Sequence, residues 1–191
     1  MGLDITAISE MKPIEIPEGI EIWSDEYYDW EADQDFPGHV WNLYQSDHFP
    51  EQGEGLPNSS VIATGEDFGH RAGSYSGYNE WRRILAQAAL GLTDTEVWAR
   101  VDAGESYGNI PFGELINFSD ADGTIGPVAS AKLYNDFVQY EEDVMNRLDR
   151  FYLKFEDYEI DGDTYHWFKQ KYKDWKETFR VASNNGAVIF H

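Results

Sequence analysis

Residues 163–184 read DTYHWFKQKYKDWKETFRVASN, and this stretch carries the clearest structural signal in the chain. Its large apolar side chains recur every three or four residues, which places them on one face of a helix. They are Tyr165, Phe168, Tyr172, Trp175, Phe179 and Ala182. Asp163 fits the N-cap position, and an Asn-Asn-Gly sequence follows the last apolar residue. We therefore predict a helix over 163–184 whose aromatic face packs on a core.

Shorter signals predict the remaining elements. Strands are predicted at residues 3–8, 40–44 and 187–190, with a hairpin across 14–22, where isoleucines alternate with acidic residues. Helices are predicted at 79–90 and 127–155, with a short one opened by a capping box between Thr93 and Glu96. The glycine-rich residues 65–78 are predicted to be a loop. The fold class that follows is α+β: a single domain over 1–191, with about three main helices packed on a small, mostly antiparallel sheet.

Composition excludes several classes of function. The 191 residues include 14 Lys and Arg against 36 Asp and Glu, which leaves a formal net charge of -22. Binding to nucleic acid, or to an anionic membrane surface, needs basic residues, so neither is expected. Aromatic residues make up 16% of the chain, unlike a disordered acidic segment. The chain has no Cys and shows neither a signal-peptide pattern nor a membrane span, so we expect a soluble cytoplasmic protein.

The acidity is concentrated in the N-terminal third, residues 1–70, which holds 16 acidic residues and one base, Lys12. Within it, residues 21–35 combine carboxylates with aromatic side chains. Such a block can imitate nucleic-acid phosphates and bind a basic protein, with aromatic residues as anchors. The alternative is a solvated face that keeps the protein soluble. The candidate interface residues are Asp25, Asp29, Trp30, Asp33 and Asp35.

Two glycine-rich segments that precede helices form the second candidate site. Residues 69–83 combine Gly and Ser with Arg, a composition that suits a bound anion at a helix N-terminus; residues 118–127 supply further polar groups. The alternative is structural, with Ser and Asn capping a helix and Arg pairing with nearby acids. The candidate ligand-binding residues are Arg71, Ser74, Tyr75, Tyr78, Asn79, Arg82, Ser119, Asp120 and Asp122.

Catalytic and metal motifs are weak. The Asp120-x-Asp122-Gly123 sequence resembles part of a calcium loop, but Phe118 and Ala129 would occupy ligand positions of an EF-hand and cannot ligate through their side chains. No His pair has zinc-ligand spacing, and no nucleophile motif is present. We therefore predict no catalytic residues, no resident metal and no cofactor, and keep a metal-dependent hydrolase using Asp120, Asp122 and a His as an alternative.

Two blocks resemble segments of uncharacterised small proteins of tailed phages, prophages and some bacteria. The first is RAGSYSGYNEWR at 71–82, and the second is PFGELINFSD at 111–120, followed by GTIGP at 123–127 and KLYNDF at 132–137. The opening MGLDI is also similar to the start of these proteins. The family-like core spans 65–137. Members often have Cys-Glu at Ala121 and Asp122, so a role for that Cys would not transfer.

The resemblance implies a phage setting, and with it an accessory protein that counters host defence. The leading hypothesis is a non-enzymatic protein that holds a small anionic or nucleotide-like ligand between 69–83 and 118–127. The main alternative is an acidic, nucleic-acid-mimicking inhibitor of a host protein with a basic surface, acting through 21–35. The two matched segments also have a structural interpretation, in which they lock two helix starts together. A homo-oligomer is compatible with each hypothesis.

Overall fold

The C-terminal helix packs on the main core, and the strand that follows it lies inside the larger sheet. A computed structural model describes residues 2–118, 123–151 and 162–191. Over these residues the architecture is α+β, with seven α-helices and two antiparallel sheets. The predicted class is therefore confirmed, whereas the prediction of about three main helices is wrong.

The larger sheet has four strands in the order β5-β1-β7-β6, and the smaller sheet has three in the order β2-β4-β3. In chain order the strands are β1 (Gly2–Ile8), β2 (Met11–Pro13), β3 (Val40–Trp41), β4 (Val61–Ala63), β5 (Asp67–Ser74), β6 (Gly123–Ile125) and β7 (Ala187–Phe190). All three strands of the smaller sheet lie between residues 11 and 63, within the acidic N-terminal third of the chain.

Strand β7 lies in the middle of the larger sheet and is buried on both faces. Val188 and Phe190 belong to the main core beneath the helices. Ala187 and Ile189 belong to a second cluster with Met11 and Val61 of the smaller sheet. Because successive side chains of a strand point to opposite faces, the four-stranded sheet separates a helical layer from the three-stranded sheet.

The helices are α1 (Asp25–Ala32), α2 (Tyr75–Leu90), α3 (Asp94–Asp102), α4 (Gly113–Ile116), α5 (Pro127–Gln139), α6 (Glu141–Phe151) and α7 (Gly162–Ala182), with a 3-10 turn at Tyr107–Asn109. The predicted aromatic face of α7 is buried from Phe168 onward, and Tyr165 is half-buried. The helix begins at Gly162, so Asp163 lies in its first turn and is not its N-cap. Trp175 stacks on Trp81 of α2, with ring centroids 5.6 Å apart. The capping box that opens α3 is also confirmed.

The long helix predicted over 127–155 is instead two helices that meet at Tyr140. The backbone of Tyr140 leaves the helical conformation, and its carbonyl accepts from the N–H of Val144 at the start of α6. Three acidic residues then fill the first turn of α6, where a helix dipole favours negative charge. Lys176 of α7 holds Glu141 in an ion pair of 2.6 Å. Residues 152–155 of the prediction lie outside the described residues.

The hairpin predicted across 14–22 is wrong. Only Met11–Pro13 pairs with a strand, and Ile14 donates one further backbone hydrogen bond to the Ser60 carbonyl. Beyond it the chain turns, with the N–H of Ile20 bonded to the carbonyl of Pro17. Pro17 interrupts the alternating pattern because proline cannot donate to a ladder.

The loop predicted over 65–78 is also wrong, because residues 67–74 form β5 and α2 begins at Tyr75. This strand is at the edge of the sheet and pairs only with β1. Edge positions tolerate glycine, and Gly73, with φ at +128°, adopts a backbone conformation that other residues rarely reach.

Candidate functional site

The 69–83 segment runs from the edge strand into α2, and most of its polar groups have partners. Ser74 is the N-cap of α2 and accepts from the N–H of Gly77 at 3.0 Å. The carbonyl of Arg71 accepts from Lys171 of α7 at 2.5 Å. The Arg71 side chain is exposed, and its guanidinium packs against the backbone of Gly2. A side chain at position 2 would collide with this guanidinium.

Tyr78 and Arg82 are buried rather than presented to solvent. The Tyr78 hydroxyl donates to the Leu115 carbonyl at 3.3 Å. Arg82 donates to the Phe118 carbonyl at 2.5 Å, and its guanidinium carbon lies 5.1 Å from the centre of the Tyr78 ring. Arg82 therefore joins the two family-like segments to each other through a backbone carbonyl.

The remaining candidate ligand residues are only partly described. Tyr75 and Asn79 are half-buried on α2, and Tyr75 packs against the main core. Ser119, Asp120 and Asp122 lie outside the described residues. A ligand pocket between the two segments therefore stays a prediction, and the described residues assign structural contacts to Ser74, Tyr78 and Arg82.

Metal-ligand clusters and membrane-spanning helices are both absent from the described part of the chain. It contains no group of three His, Asp or Glu side chains that could hold a metal ion. None of its helices is both long and apolar enough to cross a membrane.

The acidic block at 21–35 is built around α1 and one buried aromatic residue. Ser24 caps the helix and accepts from the N–H of Tyr27 at 3.1 Å. The Tyr27 ring is buried, and its hydroxyl accepts from Asn42 at 3.3 Å. Burial raises the pKa of Tyr27, although the Asn42 hydrogen bond opposes the shift. Tyr27 thus anchors a surface helix on which Asp25, Glu26 and Asp29 stay exposed.

Trp30 turns inward on the same helix. Its ring is half-buried and packs 5.8 Å from Tyr27 and 5.7 Å from Phe36, measured between ring centroids. Of the five residues predicted as an interface, the four aspartates are exposed and Trp30 supports the helix.

The carboxylates of this region form no ion pair with any described Lys, Arg or His. Residues 15–35 contain nine acidic side chains, and residues 13–70 contain no Lys or Arg. Eight of the nine are exposed: Glu15, Glu18, Glu21, Asp25, Glu26, Asp29, Asp33 and Asp35. Within the described residues, all ion pairs lie outside residues 13–65. We define residues 15–35 as the acidic face, a surface rich in exposed carboxylates that form no ion pair with any described residue.

An aromatic cleft borders the acidic face. It has a volume of about 350 Å³. Its aromatic walls come from Trp23, Trp41 and Tyr44, and its floor from β6 and β7. Trp23 is 66% exposed and Tyr44 is 59% exposed. Neither residue is singled out by the sequence, because the two segments are linked only in the folded protein, where Tyr27 contacts both the Trp23 ring and the Asn42 side chain.

Comparisons with known proteins add no relative, since no family model, no curated protein and no solved structure matches this chain.

Proposed function

We propose that this protein is a non-catalytic binding protein whose acidic face occupies the nucleic-acid-binding surface of a basic protein. The observation that carries the proposal is the set of eight exposed carboxylates without a paired cation. Elsewhere in the described chain, acidic residues such as Glu66, Glu114 and Glu141 are paired with Lys or Arg. The acidic face is thus the surface most able to gain from an external cation.

The spacing of the carboxylates supports a row of negative charge. Asp25, Asp29 and Asp33 follow one another at intervals of four residues, about 6 Å along a helix axis. Residues at this interval are neighbours on one helix face, and like charges there repel. The last turn of α1 contains no basic residue that would offset the negative helix terminus. A basic partner would relieve both the repulsion among these carboxylates and the uncompensated negative charge at the end of α1.

The charge also determines the kind of partner. A face with this potential repels nucleic acid and speeds encounter with a positively charged surface, in a way that salt screens. Proteins that bind nucleic acid have such surfaces, because Lys and Arg neutralise the phosphates. In the phage setting that the resemblance implies, the partner would be a host defence protein that handles nucleic acid.

Competition with DNA tests the proposal. Two purified basic probes, an HU-type nucleoid protein and the core histone octamer, are each bound to a fluorescein-labelled DNA duplex, and displacement by this protein is followed by anisotropy. We expect displacement from at least one probe, with an affinity that falls as salt rises. The variant D25N/D29N/D33N should need roughly tenfold more protein for the same displacement, because three charges facing the partner are lost.

The matched control is D67N/D102N/D143N, which removes three exposed carboxylates outside the acidic face. If the control loses as much affinity as D25N/D29N/D33N, net charge rather than the acidic face is responsible. Failure to displace DNA from either probe, or displacement that is insensitive to the change at 25, 29 and 33, would overturn the proposal.

A further inference from the structure

The aromatic cleft has features that a solvated surface does not require. Trp23 is the most exposed of the large apolar residues described. Its φ is +73°, in the left-handed region that bulky residues rarely occupy. The chain therefore bears a backbone cost at the position that leaves an indole ring in solvent. Strain of this kind is concentrated at binding sites, where the surrounding structure maintains it.

The walls of the cleft are held in place by contacts that leave Trp23 and Tyr44 largely exposed. Trp23 packs 6.3 Å from the Tyr27 ring, measured between centroids. The backbone N–H of Tyr44 donates to the Thr124 hydroxyl at 3.2 Å, so the position of Tyr44 is tied to β6. His191, at the rim, is hydrogen-bonded to the Thr6 hydroxyl at 2.9 Å. The Trp23 and Tyr44 side chains remain open to a ligand.

Charge complementarity selects the ligand. None of the described residues that line the cleft is Lys or Arg. Glu21 and Asp25, each two positions from Trp23 in sequence, have exposed side chains. The face of an indole ring attracts a cation, and nearby carboxylates strengthen the attraction. Arginine is favoured over lysine, because its planar guanidinium both stacks on aromatic rings and donates paired hydrogen bonds to carboxylates.

We propose that the aromatic cleft binds an arginine side chain of the basic partner, an inference that rests on the proposed function and adds a specific contact to it. The guanidinium would stack on Trp23, with Tyr44 as the second wall and the acidic face receiving the neighbouring basic residues. The cleft volume, about 350 Å³, is at the low end of small-ligand pockets and suits one side chain rather than a whole peptide.

Peptide binding to the full-length protein tests the cleft. The probe is a fluorescein-labelled hexapeptide of alternating Gly and Arg, and its partner replaces each Arg with citrulline, which keeps the shape without the charge. We expect the Arg peptide to bind and the citrulline peptide to bind much more weakly. W23L and Y44L should each raise the Kd for the Arg peptide about fivefold, and W23F should lose less.

Y28L is the matched control. Tyr28 lies on α1 and, like Trp23 and Tyr44, is an exposed aromatic residue (51% exposed), but it does not line the cleft. Its Kd should be unchanged. Circular dichroism and thermal melting of each variant show whether the fold is retained, and Y44L keeps the test independent of the strained backbone at residue 23.

The outcomes separate this inference from the proposed function. If D25N/D29N/D33N weakens binding of the Arg peptide while W23L and Y44L do not, the cleft inference is overturned and the acidic face stands. If W23L weakens the Arg and citrulline peptides equally, the contact is apolar and the inference also fails. If neither the carboxylate nor the cleft variants affect the Arg peptide, both proposals are overturned.

Discussion

At the scale of single residues, His70 shows how packing determines a protonation state. The Thr178 hydroxyl donates to the Asp174 carbonyl at 2.8 Å, so its only proton is in use. The contact of 3.1 Å between that hydroxyl and His70 Nδ1 therefore has Nδ1–H as the donor. Within the described residues, His70 Nε2 is buried without a hydrogen-bond partner, and the imidazole ring packs edge-on against Trp175 with centroids 5.0 Å apart. A proton on Nε2 would be a buried charge without an acceptor.

His70 is consequently expected to make stability pH-dependent. Burial lowers its pKa from 6.5 to about 4, so between these values the unfolded chain binds a proton that the folded protein does not. Stability therefore falls as the pH drops from about 6.5 to about 4, by up to about 3 kcal/mol. The free energy of unfolding of H70Q, from urea titrations across this range, should depend less on pH than that of the parent.

The control for this prediction is H39Q, which removes an exposed histidine instead of the buried one. A pH dependence of H70Q that equals that of the parent would show that other groups cause the acid destabilisation.

Arg82 shows what residue identity alone leaves open. The same Arg-rich, Gly-rich sequence is typical of an anion site and of a buried structural arginine. The direction of the side chain decides between them, and it depends on where α2 lies relative to residue 118. Sequence reasoning had no signal for that direction, since Phe118 offers only a backbone carbonyl.

At the scale of elements, the four-residue helix α4 depends on α5 for its position. Lys132 of α5 donates to the Ile110 carbonyl and to Glu114 of α4, each at 2.6 Å, and lies 2.9 Å from Asp136. Asp136 in turn accepts from the N–H of Phe112 at 2.8 Å. Burial raises the pKa of Glu114, and Lys132 opposes that shift. One ammonium group thus offsets two largely buried carboxyl groups.

K132M is expected to destabilise the protein by about 3 kcal/mol at neutral pH, because it leaves buried carboxylates unpaired. Without Lys132 the pKa of Glu114 should rise further. A raised folded pKa contributes stability at low pH that is lost as the pH increases, so the deficit of K132M should shrink toward acidic pH. Urea unfolding at several pH values measures both effects.

K173M provides the matched comparison, since Lys173 is exposed and forms no ion pair in the described part of the chain. Equal losses in K132M and K173M would show that the α4–α5 cluster is not the source of the effect.

Local signals predicted some elements well and others badly, for identifiable reasons. The α7 stripe and the Thr93–Glu96 capping box are local patterns, and both are confirmed. The alternating isoleucines at 14–22 found no partner strand, because β4 ends its pairing with β2 at Pro13. Glycines in 69–73 resemble a loop, yet β1 supplies a ladder for them. Strand assignment failed wherever it depended on a partner distant in sequence.

At the scale of the whole molecule, exposed carboxylates without an ion pair are concentrated on the acidic face. The chain has a net charge of -22. Ion pairs neutralise some carboxylates of the helices, such as Glu114 and Glu141, whereas the acidic face forms no ion pair with any described residue. Self-repulsion of this kind destabilises the compact state and is screened by salt. The acidic face is therefore a cost to the isolated protein.

Salt should accordingly raise the Tm. We expect the Tm to increase by a few degrees between low and physiological ionic strength. D29N/D33N should raise the Tm at low salt and reduce this increase, because it relieves repulsion on α1. D67N/D102N has the same change in net charge outside the acidic face and should have a smaller effect. A smaller effect of D29N/D33N than of D67N/D102N would contradict a localised repulsion.

The sequence by itself determined the class of the fold, the aromatic helix α7 and the concentration of carboxylates in the first third. These follow from composition and from spacings within one element, where neighbours in sequence are neighbours in space. Tertiary structure alone decided that Arg82 is buried, that β7 completes the centre of the sheet, and that Trp23 meets Tyr44 in one cleft. These depend on contacts between residues that are far apart in sequence, and the spacing of residues within one element carries no information about such contacts.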